Sequence, residues 1–209
     1  MDRGKVKDVL VKHVVDTTAL NTTANPLLGS LEVTLFQMTD DNSLDARLFA
    51  TKWGYLGLAA AFSKGRDVSK NYFNITDESN ERDKKAHDAK YAIAFNTVFA
   101  PIMYWGEPDI GKFAAGVGTV MALSPFLGMV GGYSIDVFRD LTGLENSERV
   151  PNLIQKQRPS IKKGLAAFVT AASVAIMVGI YAWTPSNFGD TDYVEEPSVV
   201  QTEYVQNIE

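Results

Sequence analysis

G-K-F-A-A-G-V-G-T-V-M-A-L-S-P-F-L-G-M-V-G-G-Y-S-I-D-V-F-R, residues 111–139, is the stretch on which the reading of this chain turns. No charge falls from Phe113 to Ile135, a length that as a helix crosses a bilayer core of about 30 Å. Gly111, Ala115, Gly118, Ala122, Pro125, Met129 and Gly132 follow one another at steps of four and three, the spacing of one helix face. All but Met129 are small or proline, and a small face lets a neighbouring helix approach closely in lipid. Gly128-x-x-x-Gly132 serves either a homodimer seam or a crossing within the chain. The next step of four lands on Asp136, whose carboxylate is therefore expected among packed neighbours. An acid so placed in a membrane helix is a functional candidate, for proton coupling or for a substrate ammonium. The alternative is an interfacial acid paired with Arg66 or Arg139.

Outward from this stretch, apolar runs alternate with charged connections, although the mean hydropathy is only −0.07. Residues 165–183 carry no charge and form the clearest hydropathy signal. Residues 14–36 form a more polar span, containing Asp16, Asn21, Asn25 and Glu32, with Pro26 expected to kink it. Asp16 and Glu32 fall on opposite faces of an ideal helix. Residues 47–62 and 91–105 complete the set, and Lys52 can snorkel from the second span to its nearer surface. Residues 1–13 are a basic lead-in without the apolar run of a signal peptide, and 63–90 is the main hydrophilic loop. Residues 142–163 form a second basic loop, 164–184 a fifth span, and 185–209 an acidic tail read as disordered.

Lys and Arg concentrate in alternate segments. Arg3, Lys5, Lys7 and Lys12 lie before the first span; Lys64, Arg66, Lys70, Arg82, Lys84, Lys85 and Lys90 follow the second. Arg139, Arg149, Lys156, Arg158, Lys162 and Lys163 follow the fourth, and the tail has none. This is the positive-inside pattern for five spans, with the N-terminus cytoplasmic and the C-terminus outside. The expected fold is thus an all-α, polytopic transmembrane helical bundle in the plasma (inner) membrane. The net charge of −5 and the lack of a basic stripe argue against a nucleic-acid partner. With no cysteine, thiol chemistry is excluded. No nucleotide loop, metal constellation or nucleophile–base set is present in the sequence, so neither an enzyme, a cofactor nor a metal is expected.

Six pieces, in order, resemble the L-alanine exporter family of small four-span inner-membrane proteins, over about residues 14–141. V-D-T-T-A (Val15 to Ala19) is similar to that family's A-D-T-x-A, and L-E-V-T-L-F (Leu31 to Phe36) to I-E-V-F-L. A-R-L-F (Ala46 to Phe49) is similar to S-R-L-V, and G-R-D (Gly65 to Asp67) to Y-R-D. F-A-P-I-M-Y (Phe99 to Tyr104) resembles F-x-S-P-x-Y. G-M-V-G-G-Y-S-I-D-V-F-R (Gly128 to Arg139) resembles G-A-V-Y-G-Y-F-L-D-x-x-R. The fifth span and acidic tail have no counterpart in the four-span pattern, and loop 63–90 is long for it.

The resemblance implies export of a small neutral amino acid, L-alanine, driven by the proton gradient. A zwitterion needs an anion for its ammonium and a cation or helix N-terminus for its carboxylate. The charges within or bordering the spans are Asp16, Glu32, Arg47 and Asp136. Arg47 either grips a carboxylate bidentately or snorkels to the interface, and Glu32 either binds substrate or pairs with Arg47. Asp16 either meets the ammonium at the inner mouth or sits in the headgroup region near Lys12. Asn25 and Asn96, with Asn21, either line a polar path or hydrogen-bond between helices. A path through so few helices is narrow, so a homo-oligomer is expected. The rival reading is a non-transporting scaffold or assembly protein that binds a partner through its loops and tail.

Overall fold

The computed structural model describes residues 3–34, 40–103 and 110–183. The predicted features at Phe36 and Tyr104, the end of the 91–105 span and the acidic tail lie outside these residues. Everything described is helix, turn or short connection, without a strand. The helices are α1 (Arg3–Thr34), α2 (Asp40–Trp53), α3 (Ala59–Tyr72), α4 (Glu81–Met103), α5 (Ile110–Thr142), the short α6 (Asn152–Gln155) and α7 (Pro159–Trp183).

Several boundaries differ from the hydropathy reading, because hydropathy marks where a helix is apolar and not where it ends. The basic lead-in is already helical from Arg3. α2 runs through a π-helical turn, Gly54–Leu58, into α3. Gly57 takes φ +133 there, a conformation that side-chain-bearing residues rarely adopt, so the rod bends at this point. The hydrophilic loop 63–90 is largely helical: α3 continues to Tyr72 and α4 opens at Glu81, leaving a short turn with Asn74 at φ 53. α1, α4 and α5 all continue through their prolines, Pro26, Pro101 and Pro125.

Contacts at two ends fix the alternation of the long rods. Asp16 of α1 meets Arg139 of α5, Arg66 of α3 meets Asp88 of α4 and Asp136 of α5, and Lys162 of α7 meets Asp140 of α5. At the other end Glu32 of α1 meets Arg47 of α2, and Tyr181 of α7 meets Ser43 of α2. Every rod has an uncharged middle: 17–31, 53–63, 91–103, 113–135 and 164–183. Between Asp16 and Glu32 the rise along α1 is roughly 24 Å.

α4 and α5 make the most extensive helix pair. Ala19, Ile135, Phe138, Leu141 and Ala166 form a buried core where α1, α5 and α7 meet near the charged end. Phe62 of α3 packs edge-on against Tyr91 and Phe95 of α4. Two helical stretches are long and apolar enough to cross a membrane, Val117–Thr142 and Pro159–Trp183. α7 has only 11% of its most apolar window buried. The core helix of a soluble protein would be mostly covered, and this one is not.

On the small-residue face of α5, Gly118 meets nothing a Cβ would touch, and Ala122 is exposed. Gly128 and Gly132 lie directly against α4, where a Cβ would run into Asp88 and, at Gly128, Ala92. This is a crossing within the chain.

Candidate functional site

The charged end is built from two arginines, each forked between two aspartates. Arg66 is fully buried on α3. Its Nε and Nη2 donate to Asp88 Oδ1 and Oδ2 at 2.6 and 3.0 Å. Its Nη1 and Nη2 donate to Asp136 Oδ1 and Oδ2, both at 2.8 Å. Arg139 of α5 repeats the arrangement with Asp16 of α1, both bonds at 2.7 Å, and Asp67 of α3, both at 3.0 Å. Neighbours on α3, Arg66 and Asp67, thus engage two residues one turn apart on α5, Asp136 and Arg139. Planar guanidinium forks are the groups that satisfy carboxylates in this two-sided way.

Further charges close the layer. Arg149 Nη1 reaches both Asp88 and Asp136, at 2.9 and 3.0 Å, while its Nε holds Glu81 at 3.1 Å. Lys70 adds a third cation to Asp136 at 3.1 Å. Lys12 bridges Asp67 and Glu145. Arg149 is delivered by the chain reversal after α5. Gly143 at φ +80 ends that helix, the Leu144 amide returns to the Arg139 carbonyl at 2.8 Å, and the Ser147 amide donates to Asp140. That is a left-handed glycine cap of the usual kind.

Burial would lift the Asp67 carboxyl, but the hydrogen bonds and charge of Arg139 and then Lys12 outweigh it and hold it below the usual carboxylate range. Burial, and then Arg66, push the Lys70 ammonium below its ordinary value. Burial also lowers the His87 imidazole, although its contact with Asp88 opposes this.

The opposite end is smaller. Glu32 accepts from Arg47 Nη2 at 2.6 Å and from Ser43 Oγ at 2.8 Å, and Ser43 contacts the Tyr181 hydroxyl at 3.0 Å. Glu32 therefore pairs with Arg47, one of the two roles expected for Glu32, whereas the roles expected for Arg47 are a grip on a substrate carboxylate or snorkelling to the interface. Asp16 meets Arg139 rather than lying free near Lys12. Asn25 donates to Thr51 Oγ1 and Asn96 to Ser124 Oγ, so both make helix-to-helix hydrogen bonds.

Between the two ends lies a cavity of about 240 Å³, walled by α1, the π-turn, α4 and α5. Its lining is apolar apart from Asn21, Thr23 and Asn96, and includes Gly128 and Gly131 of α5. Asn21 Nδ2 is buried without a hydrogen-bond partner, a costly condition that a bound acceptor would relieve. A small ligand with a polar end and an apolar body matches this composition. Among the described residues no group of acids and histidines could hold a metal ion.

The sequence reading missed Asp88, Arg149 and the pairing of Asp67. Asp88 falls in the polar segment 74–90, which reads from sequence as loop or solvated helix. The signal lay in the spacing of Lys84, Asp88, Ala92, Asn96 and Ala100, a period-four stripe of which all but Asn96 are buried. Against known proteins, no family model, no curated protein and no solved structure matches the chain.

Proposed function

We propose that this chain is a multi-pass membrane protein, with all five long helices crossing the bilayer, that exports a small neutral amino acid, L-alanine first among the candidates. The observation that carries the proposal is the half-open cavity at mid-height, with its unpartnered Asn21 amide, set between two charged ends. The membrane reading draws support from large apolar side chains left exposed on every rod, among them Leu48, Leu56, Val98, Ile102, Phe126, Phe168 and Ile176. A belt so extensive is unusual on a protein surrounded by water. The resemblance to L-alanine exporters supplies the substrate class and the proton gradient as driving force.

In this reading the arginine–aspartate layer closes the cytoplasmic side. Opening that side separates Asp16 from Arg139 and Asp136 from Arg66, and releases carboxylates that then take a proton or a substrate ammonium. Asp136 acts as a coupling group only in that opened state, because here both its oxygens are committed to Arg66, Lys70 and Arg149. The pairing of Asp16, Glu32 and Asp136 favours the second reading, a scaffold whose ion pairs are purely structural.

Two results separate these readings. Overexpression should lower intracellular alanine in cells fed an alanine dipeptide, whereas a scaffold leaves alanine unchanged. The orientation is checked with single cysteines in this cysteine-free chain. An impermeant thiol reagent applied to intact cells should label Ser198→Cys and spare Ser79→Cys, and the reverse pattern contradicts the topology.

A further inference from the structure

A second cavity, of about 630 Å³, lies between α1, α2 and α7. Thr18, Thr22 and Asn25 of α1 face Thr51 of α2 and Thr170 and Ser173 of α7 across it. On α1 and α7 these polar positions recur at helical spacing. Asn21 lines this groove as well as the mid-height cavity and is the residue common to both linings. The groove also reaches Arg47 and Tyr181, at the end held by Glu32, Ser43 and Arg47. α7 belongs to this wall by tight packing. A Cβ at Gly29 of α1 would lie 3.1 Å from the Tyr181 hydroxyl and 3.3 Å from Met177.

We propose that this groove is the outward half of the substrate route, and that α7, the helix without a counterpart in the four-span resemblance, forms its wall. The proposal rests on the exporter reading and adds the route to it. The occupant is a small zwitterionic amino acid that passes Asn21 from the mid-height cavity and leaves past Thr51 and Ser173. Hydroxyls and amides from three helices give such a solute successive partners. Much of the remaining lining, Leu44, Leu48, Val174, Met177 and Val178, is apolar, so a lipid acyl chain is the competing occupant, and protection by L-alanine tells the two apart. The Asn25–Thr51 hydrogen bond, at 2.9 Å, spans the groove and must part as the solute passes.

The test uses proteoliposomes holding the full chain with a single cysteine at Ser173 or Thr170, against Ile176→Cys on the exposed face of α7. A charged, water-soluble methanethiosulfonate reagent should modify Ser173→Cys and Thr170→Cys, L-alanine should slow that reaction, and modification should abolish L-alanine flux. Ile176→Cys should stay unmodified. Monodispersity and melting temperature in detergent show that both groove variants fold, and the flux of each before modification is its own reference. Flux that survives the reagent in both, or thiols that react only after detergent strips the lipid, overturns the route while leaving the exporter reading intact. Absence of flux from the unsubstituted chain is instead the failure of the exporter reading, and the route falls with it.

Discussion

Arg66→Gln is expected to leave little folded protein. Arg66 and Asp88 have no exposed surface, and Asp136 is nearly as enclosed. The substitution removes four hydrogen bonds and the two-sided guanidinium fork between these two carboxylates, leaving the single Arg149 Nη1 to bridge them. Removing one partner of a buried ion pair costs about 3–5 kcal/mol, because the other charge stays buried and uncompensated. A whole domain is commonly stable by only about 5–15 kcal/mol. Arg149 and Lys70 remain nearby, yet neither can replace the two-sided geometry. Arg66→Lys keeps the charge and loses the fork, so it should fall between Gln and the parent chain. Lys70→Met should be mild, since Lys70 adds a single contact to an already satisfied Asp136. The measurement is the melting temperature and monodispersity of the detergent-extracted chain. An Arg66→Gln protein that melts with the parent would mean that the network is not formed in the folded molecule.

Gly128→Leu should be as damaging for a different reason. A Cβ at Gly128 would collide with the backbone carbonyl of Asp88 and with Ala92. Backbone cannot swing aside as a flexible side chain does, so α4 must move away from α5. Overpacking of this kind typically costs about 1–3 kcal/mol per site, and here the displaced helix also carries Asp88 away from Arg66. Even Gly128→Ala should lower the melting temperature. Gly132→Ala meets the Asp88 carboxylate and should weaken the same ion pairs. Gly118→Ala is the control: its Cβ meets open space, and the higher helix propensity of alanine, worth up to about 1 kcal/mol, should leave stability equal or improved. Equal tolerance at positions 118 and 128 would contradict the crossing described for α4 and α5.

The sequence was legible where a feature depends on one helix or on two adjacent ones. Opposite faces for Asp16 and Glu32 followed from their spacing, and the two residues do reach different helices, α5 and α2. The Glu32–Arg47 pair required only that α1 and α2 run antiparallel, which a short connection almost enforces. The face leading from Gly128 to Asp136 was legible as close packing, but whether a second copy or α4 filled it was open from sequence. Long-range partners were beyond reach: Asp16 and Arg139 lie 123 positions apart, and no local periodicity joins them. Hydropathy also obscured Asp88 and Arg66. A buried ionic layer has the composition of a solvated loop, and only the stripe of small residues running up to it, Ala59, Ser63, then Arg66, tells the two apart.

The measurement that bears most directly on the central claim is transport by the purified chain alone. Inside-out proteoliposomes with an imposed pH gradient, acidic inside, should accumulate labelled L-alanine above its outside concentration, and a protonophore should abolish the accumulation. Accumulation no greater than in protein-free liposomes, from chain that is folded and correctly oriented, would contradict the account.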